Sequence, residues 1–362
     1  MKIAIINKHK EDTLGGSEIQ CDIIARRLSE RRHTIHYLAM GGKGHYNTAY
    51  KVTPVAREAE AIVAAIKTVK PDIIYWRYNK HQFFPAIREI HSLEIPFVFA
   101  VSHINDIKKW DAKAVSKNKL LLKRFIISGL RVVENRSQYR GFRYVDGVIV
   151  NNSEFLNRLD VHNQVCIRSF VENVKKSFPW NRPYVVWVSS LKPSKRPELC
   201  LDVAKKLQNS GVDVLMIGPV QKDSYLYFND KEQLPDNLFY LGVKTPEEVN
   251  GAIESSLCLI HTGEPEGFPN TFMQAWMLGK SVVSLEYDPD QLLKNEQIGF
   301  CSDGNAEKFT ETLLSVINAS DERGEIEQRA SQFAEKHFSP ERNVELLETF
   351  LEDIVRKKRG KS

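Results

Sequence analysis

The segment Glu264-Pro-Glu-Gly-Phe-Pro-Asn-Thr-Phe-Met-Gln-Ala-Trp276 decides how the second half of this chain folds. It follows the apolar run Leu257–Ile260, which is typical of a buried parallel strand. The ring of Pro269 fixes φ near the helical value. Proline has no backbone N–H, but a residue in the first helical turn makes no helical hydrogen bond through that group. We therefore expect a helix to begin at Pro269. The sequence therefore predicts a strand, a loop and a helix in succession.

The predicted helix start is a suitable seat for an anion. The backbone N–H groups from Gly267 to Asn270 have no helical partners, and the helix dipole adds partial positive charge. Glu266 lies beside this seat, and its carboxylate would repel a phosphate alone. A ligand that has a phosphate for the helix start and sugar hydroxyls for the Glu266 carboxylate would suit both features. A nucleotide-sugar is such a ligand. The alternative is an ordinary crossover in which Glu266 only caps the helix.

A second strand and loop follow the same helix. The run Ser281–Leu285 is apolar enough to form a strand, and it leads into the polar segment Glu286–Asp290. In open α/β sheets, ligands bind at the edge where the carboxyl ends of the strands lie. The two loops are therefore expected to share one binding edge.

The segment Glu266-Gly-Phe-Pro-Asn-Thr-Phe-Met-Gln274 resembles the signature of glycosyltransferase family 4, also called glycosyl transferases group 1. Members of that family are retaining enzymes of the GT-B fold, and the resemblance extends over nearly the whole chain. It implies two Rossmann-like domains with doubly wound parallel sheets that face a cleft, and a C-terminal helix that crosses back to the first domain. One position departs from the signature, because the second Glu is Gln274.

The length of 362 residues exceeds what one hydrophobic core serves comfortably, so we expect two domains. Residues 1–172, with a C-terminal helix at 340–358, are assigned to an acceptor-binding domain. Residues 173–183 form a linker, and residues 184–338 form a nucleotide-sugar-binding domain. Alternating strands and helices support parallel sheets in both. The predicted strands of the first domain are Ile3–Ile6, Thr34–Leu38, Ile73–Trp76, Phe97–Val101 and Gly147–Val150.

The composition is that of a globular protein, with 42% hydrophobic and 27% charged residues. No apolar run approaches the roughly 18 residues of a membrane span, and the N-terminal apolar run is too short for a signal peptide. The five cysteines are far apart and show neither disulfide nor metal-ligand spacing. We therefore expect core thiols in a cytoplasmic protein.

The segment Ser189-Ser-Leu-Lys-Pro-Ser-Lys-Arg-Pro197 is a second candidate for anion binding. Hydroxyls and the cations Lys192, Lys195 and Arg196 precede a predicted helix, a pattern that suits a pyrophosphate. The alternative is a solvated lysine-rich turn. In the family an Arg stands where this chain has Ser190, whereas Lys195 keeps its place, so Lys192 or Arg196 would have to replace the missing cation.

Two loops of the first domain also follow buried strands. Gly15 and Gly16 precede a predicted helix, where paired glycines let a ligand approach the backbone closely. By itself this pair is more typical of an ordinary turn, but a similar loop in family 4 faces the donor phosphates and the acceptor. His103 follows the strand Phe97–Val101, and the resemblance places it near the transferred sugar.

The resemblance assigns catalysis to His103, Glu266 and Lys195, and it implies attack on the same face of the sugar from which the diphosphate leaves. In that scheme Glu266 holds a sugar hydroxyl, Gln274 accepts weaker ribose hydrogen bonds than a Glu would, and Gln274→Glu should preserve nucleotide binding. Neither a metal nor a cofactor is expected. The expected donor-binding residues are Gly15, Gly16, Ser189, Ser190, Arg196, Val243, Thr262, Gly267, Phe268, Pro269, Asn270 and Gln274.

Residues 108–143 carry eleven Lys or Arg against Asp111 and Glu134. An apolar stripe within this region predicts a basic amphipathic helix. Such a helix packs on its own domain, binds an anionic lipid surface, or does both. Nucleic-acid binding is not favoured, because aromatic residues are sparse and no binding motif occurs.

The predicted reaction transfers a hexose-type sugar from a UDP- or GDP-linked donor to a glycan, lipid-linked or small-molecule acceptor. Surface polysaccharide assembly, at the inner face of the membrane, is the expected setting. Besides nucleic-acid binding through residues 108–143, two alternatives remain at this stage. One is another GT-B activity, such as an inverting transferase or an epimerase. The other is a catalytically silent nucleotide-sugar sensor or scaffold, which Ser190 and Gln274 leave open.

Overall fold

The computed structural model describes residues 1–13, 15–108, 132–172, 174–265 and 267–360. The chain divides into two compact units. Unit 1 comprises Met1–Phe170 and Glu341–Ser362, and unit 2 comprises Val171–Pro340. Each unit is built around one parallel sheet with helices on its faces.

The sheet of unit 1 has seven strands in the order β3-β2-β1-β4-β5-β6-β7. All of its neighbouring strands pair in parallel. Successive residues of β1 face two separate apolar layers, as a sheet covered on both faces requires. The strands are β1 Lys2–Asn7, β2 Thr34–Met40, β3 Lys51–Val55, β4 Ile73–Trp76, β5 Phe97–Ala100, β6 Gly147–Val150 and β7 Gln164–Cys166.

The helices of unit 1 follow the strands in alternation. They are α1 Gly16–Glu30, α2 Ala59–Val69, α3 Phe83–His91, α4 Ile104–Ile107 and the helical residues 132–139 of α5, with 3-10 turns at Arg140–Tyr144 and Ser153–Phe155. Phe83 and Ile87 of α3 are fully buried against the sheet. Gly141 fits beneath them, because a Cβ on Gly141 would lie 2.6 Å from the Phe83 ring.

The sheet of unit 2 has six strands in the order β10-β9-β8-β11-β12-β13, and all of them pair in parallel. They are β8 Tyr184–Val188, β9 Asp213–Ile217, β10 Leu238–Tyr240, β11 Leu259–His261, β12 Val282–Ser284 and β13 Gly299–Cys301. The helices are α6 Leu199–Lys206, α7 Pro246–Glu254, α8 Asn270–Met277, α9 Leu292–Asn295, α10 Ala306–Asn318 and α11 Ser320–Phe338. Short 3-10 turns occur at Pro193–Lys195, Asp223–Asn229, Lys231–Gln233 and Pro289–Gln291.

The last helix, α12 (Pro340–Arg359), returns to unit 1. Its buried residues Leu347 and Leu351 join the apolar layer that contains Ile3 of β1. The Asn343 amide donates to the carbonyl oxygen of Arg168 at 3.3 Å, and Glu348 accepts from His33 at 2.7 Å. The helix is thus held by its apolar face and by polar contacts along its length.

The start of unit 2 is held by α7. The Asn250 amide donates to the carbonyl oxygens of Glu172 at 3.0 Å and Val174 at 2.8 Å. A Cβ on Gly251 would lie 1.9 Å from the carbonyl oxygen of Lys176, so only glycine allows this approach. The segment before β8 is therefore anchored through its backbone.

The predicted fold class is confirmed, since both units are Rossmann-like and built on parallel sheets. Three short strands, β3, β7 and β13, were not predicted, and α8 begins at Asn270 rather than at Pro269. The five cysteines are free thiols. Among the described residues, no helix is long and apolar enough to cross a membrane.

Candidate active site

Three loops meet at the carboxyl edge of the unit 2 sheet, and we refer to them as the edge loops. They comprise residues 189–197 after β8, residues 262–269 after β11 and residues 285–290 after β12. The parent strands are neighbours in the sheet order. Hydrogen bonds and an ion pair join the loops to one another, so the structure brings together segments that lie far apart in the sequence.

Thr262 joins the first two edge loops. Its side chain is fully buried, its hydroxyl accepts from the Trp187 indole N–H at 2.9 Å, and it donates to the Lys195 carbonyl oxygen at 2.7 Å. The Glu264 N–H donates to the Ser194 carbonyl oxygen at 2.9 Å. The Thr262 hydroxyl thus fixes the position of Lys195, and its use in donor binding stays a prediction.

Lys195 lies at the centre of the edge loops. It ends the 3-10 turn Pro193–Lys195, and its side chain passes close to Gly263. A Cβ on Gly263 would lie 3.2 Å from Lys195 Cδ and 3.0 Å from His261 Nε2. Glycine at this position leaves room for the lysine stem, so a cation and a helix start share one edge of the sheet.

Arg196 is already engaged in an ion pair. It adopts a left-handed conformation with φ 47°, and its guanidinium pairs with Glu286 of the third edge loop. Since Glu286 already neutralises part of its charge, Arg196 is a weaker replacement for the cation missing at Ser190 than a free arginine would be.

Ser189 and Ser190 lie on a backbone that packs closely against the turn after β9. The Ser189 N–H donates to the Ile217 carbonyl oxygen at 3.0 Å. A Cβ on Gly218, whose φ is +144°, would lie 1.8 Å from the Ser189 carbonyl oxygen. Both serines are half-buried, and their roles in donor binding stay predictions.

Among the residues before α8, some are buried in the core of unit 2 and others contact the neighbouring edge loop. Phe268 is only 5% exposed, and its ring packs on Trp276. The Gly267 carbonyl oxygen accepts from the Tyr287 hydroxyl, which ties the second edge loop to the third. Pro269 is the residue that caps α8, and it offers no side-chain acceptor to the first helical turn, which begins at Asn270. Glu266 lies outside the described residues.

Gln274 contacts a neighbouring helix. Its Nε2 donates to Oδ1 of Asn250 at 3.0 Å. Both N–H groups of the Asn250 amide are used by the Glu172 and Val174 carbonyl oxygens, so Asn250 can only accept from Gln274. The structure thereby explains why an amide stands here, because a carboxylate would place two acceptors opposite each other.

Val243 lies at the carboxyl end of β10, where the resemblance places the nucleotide base. Its side chain is 56% exposed, which is unusual for a valine in a packed unit. The preceding Gly242 has φ +69° and accepts from the Gly218 N–H at 2.9 Å. The valine is therefore held at the surface by a fixed turn.

In unit 1 the predicted site residues also lie at helix starts. Gly15 caps α1, which begins at Gly16. His103 caps the short helix α4 and is exposed; its Nδ1 accepts from the Asn105 N–H at 3.1 Å. This bond leaves the proton of the neutral ring on Nε2. The predicted roles of these residues stay predictions.

Arg77 was missed in the sequence. It follows β4 directly, at the same edge of the sheet as Gly15, and only 7% of it is exposed. A charged residue immediately after the apolar run Ile73–Trp76 was the available signal, because buried arginines are rare and need partners.

The basic region 108–143 lies largely outside the described residues, since 109–131 are not described. The Lys108 carbonyl oxygen accepts from the Lys80 ammonium at 2.9 Å. Contact with a membrane through this region stays a prediction.

Within the described residues, one group of side chains has the composition of a metal site, namely His33, Glu348 and Glu352. It lies where β2 begins, at the amino edge of the unit 1 sheet, and Arg31 already pairs with Glu348. This location is the opposite edge from Gly15 and His103, so we assign it no part in the predicted reaction.

Comparisons with known proteins agree with this geometry. The family model described as "Glycosyl transferases group 1" matches residues 170–336, which contain all three edge loops. Unit 2 is therefore a glycosyl transferases group 1 domain. A search of curated proteins gives no match.

Solved structures match nearly the whole chain. Sucrose-phosphate synthase from Thermosynechococcus elongatus has a TM-score of 0.79 at 11% identity, covering 99% of this chain and 100% of that one. Anabaena HepE in complex with UDP and glucose has a TM-score of 0.71 at 16% identity, covering 97% and 99%. WaaG, a glycosyltransferase involved in lipopolysaccharide biosynthesis, has a TM-score of 0.69 at 12% identity, covering 95% and 99%. These similarities show that the chain has the GT-B fold.

Proposed function

We propose that this protein is a retaining glycosyltransferase that moves a hexose-type sugar from a UDP- or GDP-linked donor to a glycan, lipid-linked or small-molecule acceptor. Surface polysaccharide or glycoconjugate biosynthesis is the proposed setting, at the inner face of the membrane. The observation that carries the proposal is the junction of the edge loops, where Thr262 holds Lys195 beside Gly263 inside a group 1 domain. The structure of HepE with UDP-glucose supports a UDP-linked donor.

Unit 2 would bind the donor through its diphosphate. When the sugar–phosphate bond breaks, the leaving diphosphate gains negative charge. Lys195 and the backbone N–H groups at the start of α8 are fixed before the reaction, so they stabilise this charge without reorganising. Because a lysine and a helix end supply the positive charge, the proposed mechanism includes no metal and no cofactor.

The acceptor hydroxyl would attack the sugar from the face that the diphosphate leaves. Its proton passes to an oxygen of the departing phosphate, and the new glycosidic bond keeps the anomeric configuration. Glu266 would hold a sugar hydroxyl, and His103 is the catalytic residue that we propose in unit 1. These two roles rest on the resemblance of their sequence positions to family 4.

Gln274 has a double role in this proposal. Its Nε2 is committed to Asn250, which leaves Oε1 as an acceptor for a ribose hydroxyl. A neutral oxygen accepts more weakly than a carboxylate, so we expect activity with a moderately reduced affinity for the nucleotide.

The second candidate is a catalytically silent nucleotide-sugar sensor or scaffold of the same fold. The Arg196–Glu286 ion pair favours it, since this arginine is less available to replace the cation missing at Ser190. A sensor would bind donors without turning them over.

The test is incubation of the full chain with UDP-glucose, UDP-N-acetylglucosamine and GDP-mannose, with donor hydrolysis followed by release of the free nucleotide. An enzyme hydrolyses at least one donor slowly and continues to do so in EDTA. Binding without turnover of any donor would favour the sensor. With an acceptor in hand, the anomeric configuration of the product separates retention from inversion.

A further inference from the structure

Two loops of unit 1 follow neighbouring strands at the carboxyl edge of its sheet. Residues 8–13 follow β1 and residues 41–50 follow β2, and we refer to them as the β1 loop and the β2 loop. His9 of the β1 loop is 0% exposed. Its ring packs edge-on against Tyr37 of β2 and Tyr46 of the β2 loop. A histidine is therefore completely buried where the two loops meet.

The hydrogen bonds of His9 fix which ring nitrogen carries the proton. The Tyr50 hydroxyl donates to Oδ1 of Asp22 in α1 at 2.6 Å, so its oxygen accepts from His9 Nε2 at 3.0 Å. On the other side of the ring, Nδ1 accepts from the Glu11 N–H at 3.3 Å. The ring is therefore neutral, with its proton on Nε2 and a lone pair on Nδ1.

The same residue sets the shape of the β1 loop. The Asp12 N–H and the Thr13 N–H each donate to the His9 carbonyl oxygen at 3.0 Å. Together with the Glu11 N–H, three successive backbone amides point at one residue. The directions of the side chains that follow His9 thus depend on where its ring is held.

Two of those side chains tie the β1 loop to the β2 loop. Oδ2 of Asp12 accepts from the Tyr46 hydroxyl at 2.7 Å, and Oδ1 accepts from the Lys43 N–H at 3.1 Å. Oε2 of Glu11 accepts from the Asn47 N–H at 3.3 Å. The two loops form one surface, and the buried ring is the point where that surface is attached to the core.

A proton on Nδ1 would break this attachment. The ring would then present an N–H to the Glu11 N–H, and two donors would face each other without an acceptor. It would also place a positive charge in a position without solvent contact. The closed arrangement of the loops therefore requires the neutral ring.

The charged groups around the ring do not reverse this preference. The titratable and charged groups that face it are Lys10, Glu11 and Asp12 of the β1 loop, Asp22 of α1 with Arg26 behind it, Tyr37 of β2, and Tyr46 and Tyr50 of the β2 loop. Oδ2 of Asp22 already accepts from Lys10 at 2.8 Å and from Arg26 at 3.1 Å. Burial lowers the pKa of the His9 ring, and this effect exceeds the opposing charges of the three carboxylates.

We propose that His9 is a positioning residue of unit 1, whose neutral ring holds the β1 loop and the β2 loop together and whose protonation on acidification releases them. Open loops would expose a histidine of ordinary pKa, about 6.5, and would bind a proton that the closed loops exclude. The closed state is thus favoured fully above about pH 6.5 and loses its advantage as the pH falls below that value.

The biological consequence rests on the proposed function, in which unit 1 binds the acceptor. Both loops lie at the carboxyl edge of the unit 1 sheet, where ligands of open α/β sheets bind. Acceptor binding would therefore weaken in acid, whereas the donor contacts of unit 2 would not depend on His9.

The experiment is hydrogen–deuterium exchange of the full chain at pH 7.5 and at pH 5, where carboxylates are still mostly ionised. Each exchange rate is divided into that of an unstructured peptide at the same pH, which gives a protection factor. The protection of residues 8–13 and 41–50 should fall about tenfold at the lower pH. Peptides that contain β8 and β9 of unit 2 are the internal reference and should keep their protection.

The variant His9→Gln removes the titration. Its amide can still donate to the Tyr50 hydroxyl, so the loops should have the same protection at both pH values. His45→Gln is the matched control, because it removes an exposed histidine of the β2 loop and should leave the wild-type pH profile unchanged. Tyr50→Phe keeps His9 but removes its partner, and it should lower the protection of both loops about fivefold already at pH 7.5.

Four results would overturn the inference. They are equal wild-type protection at both pH values, a fall that persists in His9→Gln, a fall that disappears in His45→Gln, and a fall confined to one of the two loops. If His9→Gln does not fold, the wild type, His45→Gln and Tyr50→Phe still decide the matter. The exchange measurement uses neither donor nor acceptor, so failure of the proposed enzyme activity would leave its result readable.

Discussion

The junction before α8 in unit 2 and the junction before α1 in unit 1 share a topology but differ in how positive charge is held. Both follow a buried parallel strand and open a helix at the carboxyl edge of a sheet. In unit 2, Lys195 is half-buried and its backbone is held by Thr262. In unit 1, Arg77 is buried, and its guanidinium donates to the Tyr75 hydroxyl at 3.2 Å.

This difference shows two ways to hold a cation at the carboxyl edge of a sheet. A half-buried lysine on a held backbone costs little when the site is empty, because water still reaches part of its side chain. A buried arginine is already oriented, but the free protein bears the cost of its desolvation. The first arrangement suits the diphosphate that we propose unit 2 binds and releases.

The largest expected effect comes from removing the surface cation. Lys195→Met should lower kcat for donor hydrolysis by about 100-fold or more, as loss of one preorganised group at a developing charge usually does. Kinetics on the donor that the panel identifies provide the measurement. Lys205→Met, on the exposed face of α6 in the same unit, is the control and should stay within about twofold. Equal losses in both variants would remove Lys195 from the site.

The second effect tests how the lysine is held. Thr262→Val leaves the Trp187 N–H and the Lys195 carbonyl oxygen without their buried partner, which should cost about 2 kcal/mol of unfolding free energy. It should also lower kcat while circular dichroism shows a folded protein.

Urea unfolding of Thr262→Val should be compared with that of Thr310→Val. Thr310 is a half-buried residue of α10, and its hydroxyl donates to the Ala306 carbonyl oxygen at 3.1 Å in a solvent-exposed hydrogen bond, so the change should stay within about 0.5 kcal/mol. If Thr262→Val retained full stability and full activity, the hydrogen bonds of the Thr262 hydroxyl would have no role in positioning Lys195.

The third effect concerns Gln274, where unit 2 departs from the family signature. Gln274→Glu sets a carboxylate against the Asn250 oxygen and should cost about 1–2 kcal/mol of unfolding free energy, because Asn250 must rotate and release the Glu172 or Val174 carbonyl. Nucleotide affinity should be preserved. Gln208→Glu introduces the same charge at an exposed site and should be nearly neutral. Loss of UDP binding with unchanged stability would contradict both the structural role of the Gln274–Asn250 hydrogen bond and the expected tolerance of a Glu at the ribose contact.

The smallest effect belongs to unit 1. Burial raises the pKa of Glu18 in the folded state, so the ionised carboxylate lowers stability at neutral pH, and this penalty disappears as the pH falls below the pKa of the unfolded chain. Glu18→Gln should therefore raise the melting temperature at pH 7 by the equivalent of about 0.5 kcal/mol or less, and have no effect near pH 3. A scan of melting temperature against pH tests the sign, and a stabilisation that grew on acidification would contradict it.

Several elements could be predicted because the signal is local. The bounds of β4 and β6 were predicted as the structure has them, since each is a compact apolar run. The strand β3 was missed because it lies at the edge of the sheet and contains Pro54, which edge strands tolerate. The strands β7 and β13 were missed because they are three residues long, and such strands are stabilised by pairing with a neighbour.

The candidate site was predictable where residues recur in a family signature, as for Lys195 and the segment Gly267–Asn270. The partners of those residues were not. Arg196 with Glu286, and Gln274 with Asn250, lie far apart in the sequence, and only the sheet order brings them together. Arg77 had a weak signal, because one charged residue after a strand does not show whether its side chain is buried.

The sequence by itself determined the alternation of strands and helices, the two parallel sheets and the loops that lie at their carboxyl edges, because apolar periodicity and helix-start residues act over a few neighbouring positions. The tertiary structure alone decided which cations are paired, which hydroxyls are used internally and which arginine is buried. Those properties depend on distances between side chains of different strands and helices, and such distances are set only when the sheets are formed and covered.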